Sequence, residues 1–230
     1  MKVFFALALT AIMVAPGFAG AAECAWPAWQ NYRQAMLSSD GRVIDRSSEQ
    51  LITTSEGQSY GLFFALLGND RESFAKVLRW TQDNLAGGDL NRQLPAWQWG
   101  RDKAGRWQVL DSNNATDADL WIAYSLLEAG RLWHQPAYLT LGRNLLWRSA
   151  AQSLRKLPGL GLMLLPGDVG FDNAEGWRLN ASYLPPQLLA RFALEAPIWA
   201  ELASNTERLL IESSPKGLAP DWQLWNTGQG

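Results

Sequence analysis

The sequence predicts a mostly helical, all-α fold of stacked helical hairpins with loops gathered around a site. Three observations predict it. Apolar residues recur at helical spacing in separate segments, caps or prolines stand at the starts of several of them, and the stretches between are long and punctuated by glycine and proline.

The first segment stands apart from the fold. Met1-Lys2 is a short basic start, Val3 to Val14 is mostly apolar, and Ala19-Gly20-Ala21 carries the small residues of a signal peptidase site. Residues 1–21 are therefore expected to be a secretory signal peptide, too short and wrongly flanked for a stable membrane span. Glu23 before Cys24 argues against a lipoprotein site. The expected location is periplasmic or secreted, with no membrane insertion after cleavage and with residues 22–230 forming one domain. Cys24 is the lone cysteine and has no internal disulfide partner.

The elements then follow in order. Helices are expected over Trp26–Ser38 and Ser55–Leu67, the latter opened by a Thr-Ser cap. A third spans Asp70–Leu85, where Phe74, Val77, Leu78, Thr81 and Leu85 follow the i, i+3, i+4 pattern. A fourth, Thr116–Trp133, is apolar nearly all round and so is expected to be buried. Pro136–Leu154, Pro185–Leu194 and Ile198–Glu212 complete about seven helices. Trp97 to Asn114 reads as a long polar and aromatic loop. Leu157 to Asn180, rich in glycine and proline, reads as a second, with room for a short hairpin.

Composition removes several functions. One histidine and one cysteine cannot build a metal cluster, no phosphate-cradling glycine loop is present, and a net charge of −2 does not attract nucleic acid. Carboxylates remain as the chemistry, and no metal or cofactor is called for. Thirteen tryptophans suggest sugar stacking, because the indole offers a flat apolar face and one N–H donor. Trp80, Trp147 and Trp199 sit in apolar helical contexts and read as core. Trp97 and Trp99 lie in a segment bounded by Pro95 and Gly100 and are the better cleft candidates.

Glu56, Asp117 and Asp119 open helices. Their ordinary role there is to favour the helix dipole. A general acid needs a raised pKa, so burial must outweigh the dipole if Glu56 is to serve. Tyr60, one turn on, shares its face and joins the candidate substrate-binding set. Gly57 and Gly61 leave room for a ligand near the backbone. Asp117 and Asp119, at i and i+2, point to different faces, so at most one aims into a given pocket while the other binds a hydroxyl or caps the backbone.

Ala115-Thr116-Asp117-Ala118-Asp119 through Trp133, and Thr53 to Gly61, resemble glycoside hydrolase family 8. So do Trp26-Pro27-Ala28-Trp29, Gly41 to Asp45, Leu94 to Gly100, Val109 to Asn113, Pro158 to Gly170 and Ser182-Tyr183-Leu184-Pro185-Pro186, which extends the resemblance over nearly the whole chain after the signal. The resemblance implies an (α/α)6 barrel and an endo-β-1,4-glucanase (cellulase) that cleaves a β-1,4-glucan chain with inversion in an open cleft. It also implies a functional link to the bacterial cellulose synthase machinery. By position Glu56 is the general acid, and Asp117 is the signature aspartate and second catalytic residue, described in the family as a nucleophile and, in an inverting mechanism, placed to bind and distort the sugar at the cleavage point. Trp99, Tyr183 and Asp119 line the cleft.

The resemblance places the water-activating base on an aspartate in a Ser-Tyr-Asp context, downstream of Gly230. The barrel has twelve helices and about seven are read here, so the chain is expected to be the N-terminal part of the catalytic domain, with an incomplete barrel that exposes inner apolar faces. The alternative is a non-hydrolytic glucan-binding protein, or an inactive homologue without its base.

Overall fold

A computed structural model describes residues 26–226. The signal-peptide segment and Cys24 lie outside the described residues.

Seven α-helices form the body of the described chain, each within two residues of its expected bounds. Helix α1 spans Pro27–Met36. Helix α2 spans Ser55–Leu67, its start fixed by the Thr54 hydroxyl, which accepts a 3.1 Å bond from Gly57 N. Helix α3 spans Arg71–Leu85 and is capped by Asp70, which accepts from Ser73 N. Its predicted apolar stripe is the face it buries. Helices α4 (Thr116–Leu132) and α5 (Pro136–Ser153) form the tightest pair. Helices α6 (Pro186–Phe192) and α7 (Pro197–Ser213) complete the set.

Helix α4 is the centre. It packs against α2, α5 and α6, and Leu120, Ile122, Ala123, Leu126 and Leu127 are completely buried. Its approach to α5 depends on two glycines. A Cβ at Gly130 would stand 2.7 Å from Leu139 Cγ, and one at Gly142 would stand 3.1 Å from Ala123 O. Either methyl would push the helices apart, which cores at crystal-like density do not absorb.

Small sheets decorate the helices and correct the expected loops. Trp97 to Asn114 is not a loop throughout: β2 (Gln98–Arg101) and β3 (Trp107–Asp111) pair antiparallel as a hairpin. A two-residue strand β1, Thr53–Thr54, joins the β2 edge directly before α2. Strands β4 (Leu154–Leu157) and β5 (Gly161–Leu164) form a hairpin whose first strand starts on Leu154, expected to be helical, and ends where the second long connection begins. Strands β6 (Asp172–Asn173), β7 (Gly176–Leu179) and β8 (Gln223–Trp225) form a third small sheet, and its β6–β7 pair is the short hairpin for which that connection had room.

Two packing expectations fail. Trp147 is 45% exposed and not core, although Trp80 and Trp199 are buried as expected. Gly57 and Gly61 do not clear space for a ligand: the side chain of Val43 fills it, 3.4 Å and 3.0 Å from where their Cβ atoms would stand. The expected exposure of inner apolar faces is met on Tyr60, but Phe63, Trp121 and Tyr124 are half-buried and cover one another. The Phe63 and Trp121 ring centres lie 4.7 Å apart. No described helix is long and apolar enough to cross a membrane.

Candidate active site

The first turns of α2 and α4 bring the candidate acids together. Glu56 lies in the first turn of α2 and is largely removed from water. Burial raises its pKa, against hydrogen bonds from its own backbone, Thr54, Ser55 and Trp97 that lower it. Burial therefore outweighs the helix-end effects, as a general acid requires. Asp117, in the first turn of α4, is pushed up to about 7, first by burial and then by the charge of Glu56, against backbone N–H groups of its own helix. Asp117 Oδ1 is buried without a hydrogen-bond partner. No lysine or arginine contributes to either shift. Two buried acids, one raised further by the charge of the other and neither offset by a cation, are a costly arrangement, typical of reactive sites.

Tyr60 and Tyr183 stand in the same field. Burial raises the Tyr60 phenol, with the charges of Asp117 and Glu56 adding to it. Burial pushes Tyr183 up to about 12, with the same two carboxylates next. Both phenols thus stay neutral and can donate a hydrogen bond. Asp119 differs: it is fully buried behind the helix start, and its Oδ2 accepts a 2.7 Å bond from Asn114 Nδ2. It does not line the cleft, so the expectation that it contacts sugar gives way to a role inside the wall.

The cleft beside Ala115 has a volume of about 300 Å³ and is lined by Trp97, Asp111, Asn114, Phe171, Tyr183 and Trp222, among others. Part of its lining is an aromatic floor. Phe171 and Trp222 stack at 5.9 Å and 10°, and the Arg178 guanidinium sits 4.3 Å from the Trp222 ring. Trp99 lies off this lining. It is half-buried in a cluster, stacked on Trp107 at 5.1 Å and edge-on to Trp80 at 5.3 Å, with Arg42 4.4 Å from its ring. Trp107 is the more exposed ring of that pair. A separate groove between α1 and α3, lined by Arg33, Gln34 and Lys76, holds none of the candidate acids.

Main-chain bonds fix the spacing of the two helix starts. Ser55 N donates to Trp97 O at 2.9 Å, and Trp97 N donates to Asn113 O at 2.6 Å. Trp97 thereby touches both sides of the site through its own peptide groups. Sequence reasoning missed Asn114, Phe171, Arg178 and Trp222. Asn113-Asn114 directly before a helix was a readable signal, since asparagine favours helix starts and turns. Nothing local marked the other three. No cluster of three or more metal-ligating side chains occurs among the described residues.

A helical scaffold that holds two acids raised by burial beside an aromatic cleft fits the class of carboxylate-based glycosidases, in which one carboxyl is kept protonated near another. The family model described as glycosyl hydrolases family 8 matches residues 3–230. An endoglucanase of Escherichia coli O157:H7 is 49% identical over 222 residues, covering 96% of this chain and 60% of that protein. An endoglucanase of Xanthomonas axonopodis pv. citri is 49% identical over 221 residues, covering 95% and 58%. The crystal structure of an endo-1,4-D-glucanase from Vibrio fischeri superposes with a TM-score of 0.85 at 50% identity, covering 88% of this chain and 59% of the other. The chain belongs to glycosyl hydrolases family 8. Its helices are part of the (α/α)6 barrel of the family's solved structures. The chain spans about 60% of the length of the curated relatives it matches. Neither Ser-Tyr pair in it, Ser59-Tyr60 and Ser182-Tyr183, is followed by aspartate.

Proposed function

We propose that the protein acts in endo-β-1,4-glucan hydrolysis with inversion, as a cellulase-type glycoside hydrolase. The observation that carries this is the pairing of Glu56 and Asp117 at two adjacent helix starts: both are raised by burial, neither has a cation, and an aromatic cleft lies alongside.

Glu56, its pKa raised by burial toward the proton-carrying form, gives its proton to the glycosidic oxygen as the C–O bond breaks. Asp117, close enough to feel the Glu56 charge, accepts hydrogen bonds from the sugar at the cleavage point and holds it in the distorted ring form that precedes an oxocarbenium-like transition state. Tyr60 and Tyr183 donate hydrogen bonds to hydroxyls beside it. Trp222, stacked on Phe171, supports a neighbouring sugar face, and Trp99, with Trp107 on it, supports another further out. Inversion needs a second carboxylate set about 6.5–9.5 Å from the acid, with water between. In this scheme that base is an aspartate in a Ser-Tyr-Asp context.

Reducing-end release from carboxymethylcellulose tests the activity, and proton NMR of fresh product tests inversion, with the α-anomer expected first. Hydrolysis unaffected by Glu56→Gln, or β-anomer as first product, would reject this scheme. Glucan binding without any bond cleavage by the complete gene product would favour the non-hydrolytic alternative.

Export to the periplasm or medium, and service to bacterial cellulose synthesis, belong to the same proposal. The basic start, apolar run and Ala19-Gly20-Ala21 support export. Cell fractionation and N-terminal sequencing, with a mature start near Ala22, check it. Altered cellulose output in a deletion strain checks the link to synthesis.

A further inference from the structure

Asp119 is the acid that the proposed chemistry leaves without a task. It is fully buried, so it touches nothing in the cleft, and no cation is among the groups that set its ionisation. A buried carboxyl without a cation is expensive unless hydrogen bonds hold it. Asn114 provides one: its Nδ2 donates to Asp119 Oδ2 at 2.7 Å, and its Oδ1 accepts from Asp168 N at 2.9 Å.

The same seam is closed around that pair. Thr116 N donates to Pro166 O at 2.9 Å, and Thr116 Oγ1 donates to Leu165 O at 2.7 Å. Asn113 Oδ1 accepts from Val169 N at 3.1 Å, and its Nδ2 donates to Val169 O at 2.9 Å. Gly167 lets the two backbones meet, since a Cβ there would stand 2.6 Å from Asn114 O. From Asn113 the bonds continue through the Trp97 peptide to Ser55, in the first turn of the Glu56 helix.

We propose that Asp119 is a positioning residue: clamped by Asn114, its buried carboxyl fixes the first turn of α4 against Leu165–Val169 and so sets where Asp117 stands relative to Glu56. The proposal rests on Glu56 and Asp117 being the residues that act on glucan. Burial also raises Asp119 well above the usual carboxylate range, against the bond from Asn114. A raised carboxyl favours its protonated form, which suits a hydrogen-bonding anchor better than a charged partner does. Ser149 of α5 lies near enough to affect its ionisation, yet neither Ser149 Oγ nor Asp119 Oδ1 completes a hydrogen bond. The carboxyl proton can close that gap by donation to the Ser149 oxygen.

Two substitutions test this. Asp119→Asn keeps the shape, an acceptor for Asn114 and a donor for Ser149. It is expected to keep kcat within about threefold of the parent and to leave the Asp117 titration unchanged in carbon-13 carboxyl NMR. Asp119→Ala removes the anchor. It is expected to lower kcat at least tenfold with KM within about threefold, and to move the Asp117 titration from about 7 toward the ordinary carboxylate range. The groups facing Asp117 in that titration are Glu56, Asp119, Tyr60 and Tyr183. Should Asp119→Ala not fold, Asn114→Ser, which removes the clamp and leaves Asp119 in place, carries the same expectations.

Two results would overturn the proposal. One is loss of activity in Asp119→Asn as deep as in Glu56→Gln, which would mean a charged or substrate-touching role. The other is a lower Tm in Asp119→Ala with kcat and the Asp117 titration both unmoved, which would mean a purely structural one. The titration needs no glucan. If the parent itself hydrolyses none, the hydrolytic scheme falls, and the titration still decides whether Asp119 sets the placement of Asp117.

Discussion

The two ends of α4 treat their acids in opposite ways. At the start, Asp117 and Asp119 are buried without a cation and both are raised. Toward the end, burial also pushes Glu128 up, but hydrogen bonds and charges from Arg131 and Arg191 outweigh it and hold its pKa below the usual range. Arg131 Nη2 lies 2.6 Å from Glu128 Oε2, and Arg191 Nε lies 2.6 Å from Oε1. Arg191 continues to Glu195, and Glu195 to Arg143, so the network ties α4, α5, α6 and the segment before α7 together. Both ends remove carboxylates from water. A cation makes one end a joint, and the lack of one leaves the carboxyls of the other raised and ready to hold protons.

Substitutions at the two ends should therefore separate cleanly. The largest effect belongs to Glu56→Gln, which shares the charge-poor end with Asp117. Loss of a general acid is worth roughly 10²–10⁴-fold in rate, so kcat on carboxymethylcellulose should fall by about three decades, with folding unchanged by circular dichroism. A loss below tenfold would remove Glu56 from the role.

Glu128→Gln should do the reverse. Breaking a buried pair costs roughly 3–5 kcal/mol, but Arg131 is 59% exposed and screened by water. A loss of about 2 kcal/mol in urea unfolding is expected, with the kcat of the folded protein intact. The sign with pH follows from the depressed pKa: the Glu128 contribution is present above the ordinary carboxylate pKa and fades as pH falls through the lowered folded value.

Asp117 has the opposite sign. Its folded pKa of about 7 exceeds the unfolded 3.8, so the folded state binds the extra proton and stability declines as pH rises across that window. The shift corresponds to at most about 4 kcal/mol, and partial water contact leaves on the order of 2. Asp117→Asn should therefore be more stable than the parent at pH 8 and converge with it near pH 4, by denaturant titration at both. Equal stability at pH 8 would mean that Asp117 is solvated and would erase the contrast between the ends. The smallest effect is expected at the aromatic lining of the cleft. Trp222→Ala removes a stacking surface worth roughly 0.5–1.5 kcal/mol, so KM should rise about three- to tenfold with kcat nearly unchanged.

The helices were legible where the chemistry of their ends is local. Ser55–Leu67 was read to the residue because Thr54 both predicts and makes the cap. The hairpin over Trp97–Asn114 was not, because its sheet partner is only Thr53–Thr54, far back in the chain. A strand that short leaves no periodicity to read. At the site, the position of Glu56 after its cap showed where burial had to act, but not that it would. The desolvation comes from segments brought in by the fold. The divergence of Asp117 and Asp119 followed from helical geometry alone. What Asp119 faces did not, since its neighbours Asn114 and Ser149 come from a loop and another helix.

Trp97 joins the two helix starts through its own amide and carbonyl. That connection is written in the part of the residue every amino acid shares. Side-chain drift at position 97 would retune what the cleft admits and remove the indole's bond to Glu56, while the main-chain joint between the helix starts stays in place. Proline is the one replacement that deletes the amide donor, and it alone would sever the joint at that position.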